Sequence, residues 1–470
     1  MALSTGQACS GGHAPAASAT PTTRATVAPH PASPAVHAIA AQPSPEAPVP
    51  KPETREQRLI ARMLERVSRA RGLKPKKPVP GLMLERSALI ARVKAHVDLE
   101  VPHEAISHEG LVQQLLGFIP TRFDYEGATY ALLEAQLAGF YEPGDGTMYM
   151  AADLDDENAY ATLAHELVHA LQDQYWDLGP HSKYVAGEDD RSDAFSALAE
   201  GDATSAMADV LIGQARPGAT ALDMPDELFV DQVIGGMSGE ATAKAPHVMR
   251  MSLVAPYIDG TLFIHALRRK GGWAAVNRAW GHPPETTEQV LHVEKWEKHE
   301  PALAVEAPEY SSLGPGWTDA ETDTYGELGV RIALGEWLGA GRASALAAGW
   351  GGDRAILVRK GDAYAYAWRV RYDDASPNAP DAYAARAFAE LAPAIEKLAH
   401  GHGAPTKPPG AGACIERAEL GPLLVARRGR DLIVLAGPAT TSPKAWAAAA
   451  HCVQARKWAF EMMTPGPHSP

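Results

Sequence analysis

Three cysteines in 470 residues, Cys9, Cys414 and Cys452, are too few for a disulfide scaffold, and no two have the close spacing of a zinc ribbon. No run of about 18 apolar residues occurs, so the sequence offers no transmembrane helix. Positive charge is in deficit, with 43 Lys and Arg against 57 Asp and Glu, a net charge of -14. That balance excludes nucleic acid as a partner of the chain as a whole. Residues 1–54 lack what a core needs, being mostly Ala, Pro, Ser and Thr. Proline removes donors and little there can be buried, so a disordered tail is expected. "GQACSGG" has two readings: the end of a lipoprotein signal with Cys9 lipid-anchored, or plain tail. Such tails tether extracytoplasmic domains, which suggests a cell-envelope or secreted protein. Against the anchor, Gly6 stands where a large apolar residue is expected and no apolar h-region precedes it.

Beyond the tail, 46% hydrophobic and 21% charged residues are ordinary for a globular protein. Leu59, Ile60, Met63 and Val67 recur at helical spacing, and residues 83–138 read as further helices. "AGFYEPGDGTMYMA" sets apolar and aromatic runs on either side of Pro-Gly-Asp-Gly, which predicts a β-hairpin over 139–151. Helix returns in "ATLAHELVHALQDQYWDL", with Leu163, Leu167, Ala170 and Leu171 as its apolar stripe.

That helix carries the chemistry. His165 and His169 stand four apart, nearly one above the other, where one zinc ion can bridge two imidazoles. Glu166 is rotated about 100° from His165, so it ligates poorly but can take a proton from water beside the ion. A catalytic zinc needs a third protein ligand and one open position. Glu200, in "ALAEGDAT", is the candidate: 31 residues let the chain loop back, and Ala197, Ala199, Gly201 and Ala203 permit close helix approach. Asp193 and Asp202 compete for the role. Asp193 is alternatively, with Asp173, a partner that orients a ligand histidine. Otherwise these carboxylates are exposed helix residues, the usual fate of Glu and Asp.

His-Glu-Leu-Val-His with a downstream helix glutamate resembles the gluzincin metallopeptidases. The segments "AGFYEPGDGTMYM", "HELVHALQDQYWDL", "ALAEGDAT", "APYIDGTLFIHAL", "GGWAAVNRAW", "PPETTEQVLHVEKW" and "AAGWGGDRAILV" are similar to a poorly characterised bacterial family of neutral zinc metallopeptidases. The resemblance spans roughly residues 59 to 437. It implies a zincin-like core, one zinc ion, and a protein or peptide substrate whose backbone pairs with a strand beside the zinc helix. The hairpin with Tyr141 and Tyr149 stands in that place. It also implies a Tyr or His that donates to the oxyanion, and Tyr257 and His292 are the candidates. His265 reads as a packed core histidine.

After about residue 345 the pattern changes to hairpins around Lys360-Gly361-Asp362 and Arg428-Gly429-Arg430, with helices in "AYAARAFAELAPAIEKLAH" and "SPKAWAAAAHCVQARKWAF". Cys414 and Cys452 either pair as a disulfide in an exported protein or stay as buried thiols. The expected fold is therefore α+β: a tail over 1–54, a mainly helical zincin-like domain with a short sheet over 55–344, and a small α+β lobe over 345–470. Two function classes follow. One is a zinc peptidase with Glu166 as base; the other is a non-catalytic cell-envelope binding protein with a structural zinc.

Overall fold

The computed structural model describes residues 55–154, 156–181, 183–236, 240–398, 412–442 and 444–463. The expected tail and Cys9 lie outside them. The first part of the chain forms α1 (Arg55–Arg71), β1 (Gly81–Leu84), α2 (Arg86–Glu100), α3 (His103–Leu116), α4 (Tyr125–Gln136), β2 (Gly139–Glu142), β3 (Thr147–Ala151) and α5 (Asp156–Trp176). A helical middle follows: α6 (Asp189–Ala215), α7 (Asp226–Gly236), α8 (Glu240–Lys244), α9 (His247–Gly281), α10 (Thr287–Leu291) and α11 (Val293–Glu297). The last part alternates β4 (Thr318–Asp323), α12 (Gly326–Leu338), α13 (Ala340–Ala347), β5 (Trp350–Lys360), β6 (Ala363–Tyr372), α14 (Ala382–Leu398), β7 (Ala413–Arg417), β8 (Gly421–Arg428), β9 (Asp431–Thr441), β10 (Trp446–Ala448) and α15 (Cys452–Met463). The fold is mixed α+β, with helices and two sheets. Among the described residues no helix is long and apolar enough to cross a membrane.

The smaller sheet has the order β1-β3-β2, with β1 parallel and β2 antiparallel to β3. Its pleat sorts side chains by period two. Tyr141, Met148 and Met150 pack with Leu163, Leu167 and Leu171 of α5, while Phe140, Tyr149 and Ala151 pack with Leu89 of α2. Both faces are covered, which is why the hairpin carries apolar residues without alternation. Residues 83 and 84, expected to be helical, belong to β1. Prolines 78 and 80 hold the preceding chain extended, and the Pro80 carbonyl accepts from Met148 N at 2.9 Å.

The larger sheet runs β4-β5-β6-β9-β8-β7, with β10 also paired to β9. Trp350, Trp368, Leu391 and Leu423 fill one face, and Trp458 and Met462 of α15 cover the other. Two sequence expectations are revised here. Its first strand, β4, precedes residue 345, and Val112, Leu115 and Leu116 of α3 sit in its core. The segment from Ser442 is not one helix: Ser442 and Ala445 bond each other, and Trp446–Ala448 pairs with Ala439–Thr441 before α15 starts. Strand pairing there overrides the helix propensity of alanine. Cys414 and Cys452 form a disulfide that ties β7 to α15.

α6 and α9 cross with almost no side chain between them. A Cβ on Gly260 would stand 1.9 Å from the Ala197 carbonyl oxygen, and one on Gly201 would stand 2.1 Å from the Gly260 carbonyl carbon. The small residues of α6 were expected to let it approach α5; Gly201 serves the approach to α9 instead. Gly260→Ala is expected to cost about 1–3 kcal/mol, because a backbone atom rather than a flexible side chain must move. Thermal unfolding checks this, and a melting temperature equal to wild type would show that the helices separate freely.

Candidate metal centre

The apolar stripe of α5 is fully buried at Leu167 and Leu171, which fixes the helix against β2 and β3 and turns the adjacent face toward α6. On that face the His165 and His169 rings lie 4.8 Å apart at 78°. Their Nε2 atoms are 3.1 Å apart. Glu200 Oε2, from α6, is 3.0 Å from His165 Nε2 and 3.5 Å from His169 Nε2. Tetrahedral zinc with ligands at 2.0–2.2 Å separates its donor atoms by about 3.3–3.6 Å. The triangle of donors has a circumradius of about 1.9 Å, so a point at zinc-ligand distance from all three lies just off its plane. Two imidazole nitrogens and one carboxylate oxygen also match the preference of zinc. The residues therefore fit the ion.

The centre is sheltered. His169, Glu200 and Glu166 are all buried, and His165 is the most open of the four. Burial opposes charge on Glu200, but the two imidazoles outweigh it and hold the carboxyl well below its ordinary range. Burial likewise works against a charged His169, yet the Glu200 carboxylate raises it to about 9. Glu166 moves the other way: burial raises its carboxyl, and the histidines only partly offset that. The Tyr141 backbone N–H donates to Glu166 Oε2 at 2.9 Å, which places the carboxylate at the edge strand β2.

His169 Nδ1 lies 2.8 Å from Gln172 Oε1, so its Nε2 faces the other donors. Gln172 was not anticipated, although it sits at i+3 from His169, where a helix brings side chains together. Asp173 is engaged elsewhere. Its Oδ2 accepts from the Tyr141 hydroxyl at 2.8 Å and its Oδ1 from Leu178 N at 3.1 Å. Asp193 lies in a cleft with Glu109 and Asp189, where burial raises it to about 8. Its two-turn offset from Glu200 amounts to about 10 Å along the helix axis. Asp202 binds Arg71 and the Trp280 indole N–H, on the far side of α6.

The remaining expected residues divide. The Tyr257 ring lies 6.0 Å from that of His165. His292 Nε2 is 3.0 Å from Glu327 Oε1, a contact that raises the imidazole. Tyr141 is fully buried; its backbone N–H meets Glu166 and its hydroxyl meets Asp173. Tyr149 is on the opposite face of the sheet: its hydroxyl donates to Asp145 Oδ2 at 2.7 Å and Arg92 stacks on its ring. Its strand is the central one, and the edge beside α5 is β2. His265 is fully buried against Phe229, as a core histidine should be, with Nδ1 3.1 Å from Asp226. A second carboxylate group, Glu288, Glu300 and Asp373, surrounds Lys295 Nζ at 2.6, 2.8 and 2.6 Å. The ammonium already supplies the positive charge those carboxylates need.

Comparison with known proteins reaches a different part of the chain. Residues 312–446 match a model described as a domain of unknown function (DUF8575). That segment holds β4 to β9, ends at the first residue of β10, and contains none of the four residues of the centre. No curated protein and no solved structure matches the chain.

Proposed function

We propose that the chain is a zinc-dependent peptidase of the gluzincin type, with α5, α6 and the β1-β3-β2 sheet as a zincin-like core. One observation carries this reading. Three donors of the right chemistry converge, 3.0–3.5 Å from one another, beside a buried carboxylate that is not itself one of them. A purely structural zinc has no use for that carboxylate and is closed by a fourth Cys or His. His165, His169 and Glu200 would hold the ion. Zinc supplies a Lewis acid that polarises a carbonyl and acidifies water. Glu166, fixed by the Tyr141 N–H, accepts the proton of the attacking water and passes it to the leaving amine. An extended peptide lies along β2, the edge nearest Glu166. The Cys414–Cys452 bond suits an oxidising compartment, in keeping with an extracytoplasmic enzyme.

Tyr257 is the better placed oxyanion donor. Its ring neighbours His165, whereas His292 is committed to Glu327. Tyr257→Phe is expected to lower kcat by about 10²–10³ with little change in KM, since the hydroxyl acts mainly in the transition state. His292→Ala should change kcat much less. The reverse ranking would assign the role to His292. The reading as a whole is tested by metal analysis of the purified protein together with cleavage of casein and a peptide library. One zinc per chain with metal-dependent cleavage supports it. A zinc-loaded protein that cleaves nothing favours the non-catalytic alternative.

A further inference from the structure

We infer that the adjacent residues Gln172 and Asp173 are two separate positioning residues of this centre, one serving the metal ligands and the other the base. The inference rests on the metallopeptidase reading and adds residues to it. Neighbours on a helix point about 100° apart, so a tandem pair can address two different walls of one site. Gln172 is fully buried and uses both ends of its amide. Its Oε1 meets His169 Nδ1 at 2.8 Å, and its Nε2 donates to the Ala199 carbonyl at 3.0 Å. With Nδ1 as donor, Nε2 is the nitrogen left for a metal, and it faces His165 and Glu200. The second bond holds α6 in register one residue before Glu200. A single side chain thus orients one ligand and sets the distance to another.

Asp173 faces the sheet instead. It accepts from the Tyr141 hydroxyl, and the backbone N–H of that same tyrosine donates to Glu166. Tyr141 is fully buried, so its ring is a rigid spacer between Asp173 and the strand. Asp173 therefore acts on the base through β2 and does not touch the ligands. Glutamine as the histidine's partner has a further consequence. An amide fixes the tautomer without placing a third carboxylate beside Glu200 and Glu166, which already crowd the site.

Co²⁺ titration followed by its visible absorption separates the two roles. Gln172→Met removes both bonds at nearly constant volume and should weaken Co²⁺ binding about 10–100-fold with an altered spectrum. Gln172→Glu retains an acceptor for Nδ1 and should restore much of that affinity. Tyr141→Phe cuts the Asp173 link alone. It should bind Co²⁺ within about twofold of wild type, yet speed amide hydrogen exchange at residue 141 by about tenfold or more. Thermal melts of the metal-free variants identify any that fail to fold; Gln172→Glu, which keeps the Nδ1 acceptor but loses the donor to the Ala199 carbonyl, should still bind Co²⁺ about threefold or more weaker than wild type, and equal binding overturns the role of Gln172. The assignment is overturned if Gln172→Met binds like wild type, or if Tyr141→Phe weakens Co²⁺ as much as Gln172→Met. Wild-type protein that takes up no Co²⁺ overturns the metal reading itself, a result distinct from either.

Discussion

Glu166→Gln is expected to keep zinc and lose hydrolysis by a factor of about 10²–10⁴, the usual contribution of a positioned general base. The substitution is nearly isosteric. The amide oxygen of glutamine can still accept from the Tyr141 N–H that now meets Glu166 Oε2 at 2.9 Å, so the side chain should stay in place. What it loses is the ability to take a proton. Glu166 is buried, and burial raises its carboxyl, so charge at this position is held against the local preference. The neutral variant should therefore melt no lower than wild type. Loss of turnover without loss of stability separates a catalytic carboxylate from a structural one. Zinc content, peptide turnover and a thermal melt of the same preparation suffice. Turnover close to wild type in a fully zinc-loaded variant would remove Glu166 from the mechanism.

The parts of the centre that could be read from the sequence are those set by one helix or by simple spacing. His165 and His169 meet because four residues make about one turn, and the 31-residue return to Glu200 leaves room for a loop and a second helix. The hairpin was legible because Pro-Gly-Asp-Gly is a local signal. What escaped depends on distant partners. β1 and β10 are short and become strands only because β3 and β9 offer them edges. Val112 and Leu116 of α3 enter the core of a sheet that begins more than 200 residues later, which no window of sequence reveals. Asp173 was expected beside His169, since i+4 residues share a face. Tyr141 from β2 and the Leu178 N–H claim it instead. The hairpin tyrosines were both placed toward substrate, but the pleat sends Tyr149 to the α2 side. The helical period of α5 was visible, but not which side chains β2 would present to it.

Zinc uptake should release about one proton near pH 7.5, and Glu200→Gln should abolish both the release and tight binding. In the metal-free protein burial works against the charged His169, but the charge and hydrogen bond of Glu200, together with Glu166 and Gln172, outweigh it and raise the imidazole to about 9, against an ordinary value near 6.5. At pH 7.5 the imidazole thus holds a proton that a metal must displace. Apparent affinity should rise about tenfold per pH unit below 9 and level off above it. Stability of the metal-free protein carries the matching signs. A raised histidine stabilises the fold fully below its unfolded value near 6.5, and that contribution fades as pH rises through about 9. Glu200, held below its ordinary range, contributes above the unfolded carboxyl value and loses that contribution as pH falls through its depressed value. Removing the carboxylate with Glu200→Gln takes away a charged ligand and the main cause of the raised imidazole together. Zinc affinity should then fall by at least about 10²-fold, more than a supporting residue costs. Calorimetry in two buffers of different ionisation enthalpy counts the protons directly. Wild-type binding that is independent of pH between 6 and 8.5 would mean that His169 is already neutral in the metal-free site. Glu200 would then be a metal ligand only, without its second role of holding the proton that the ion replaces.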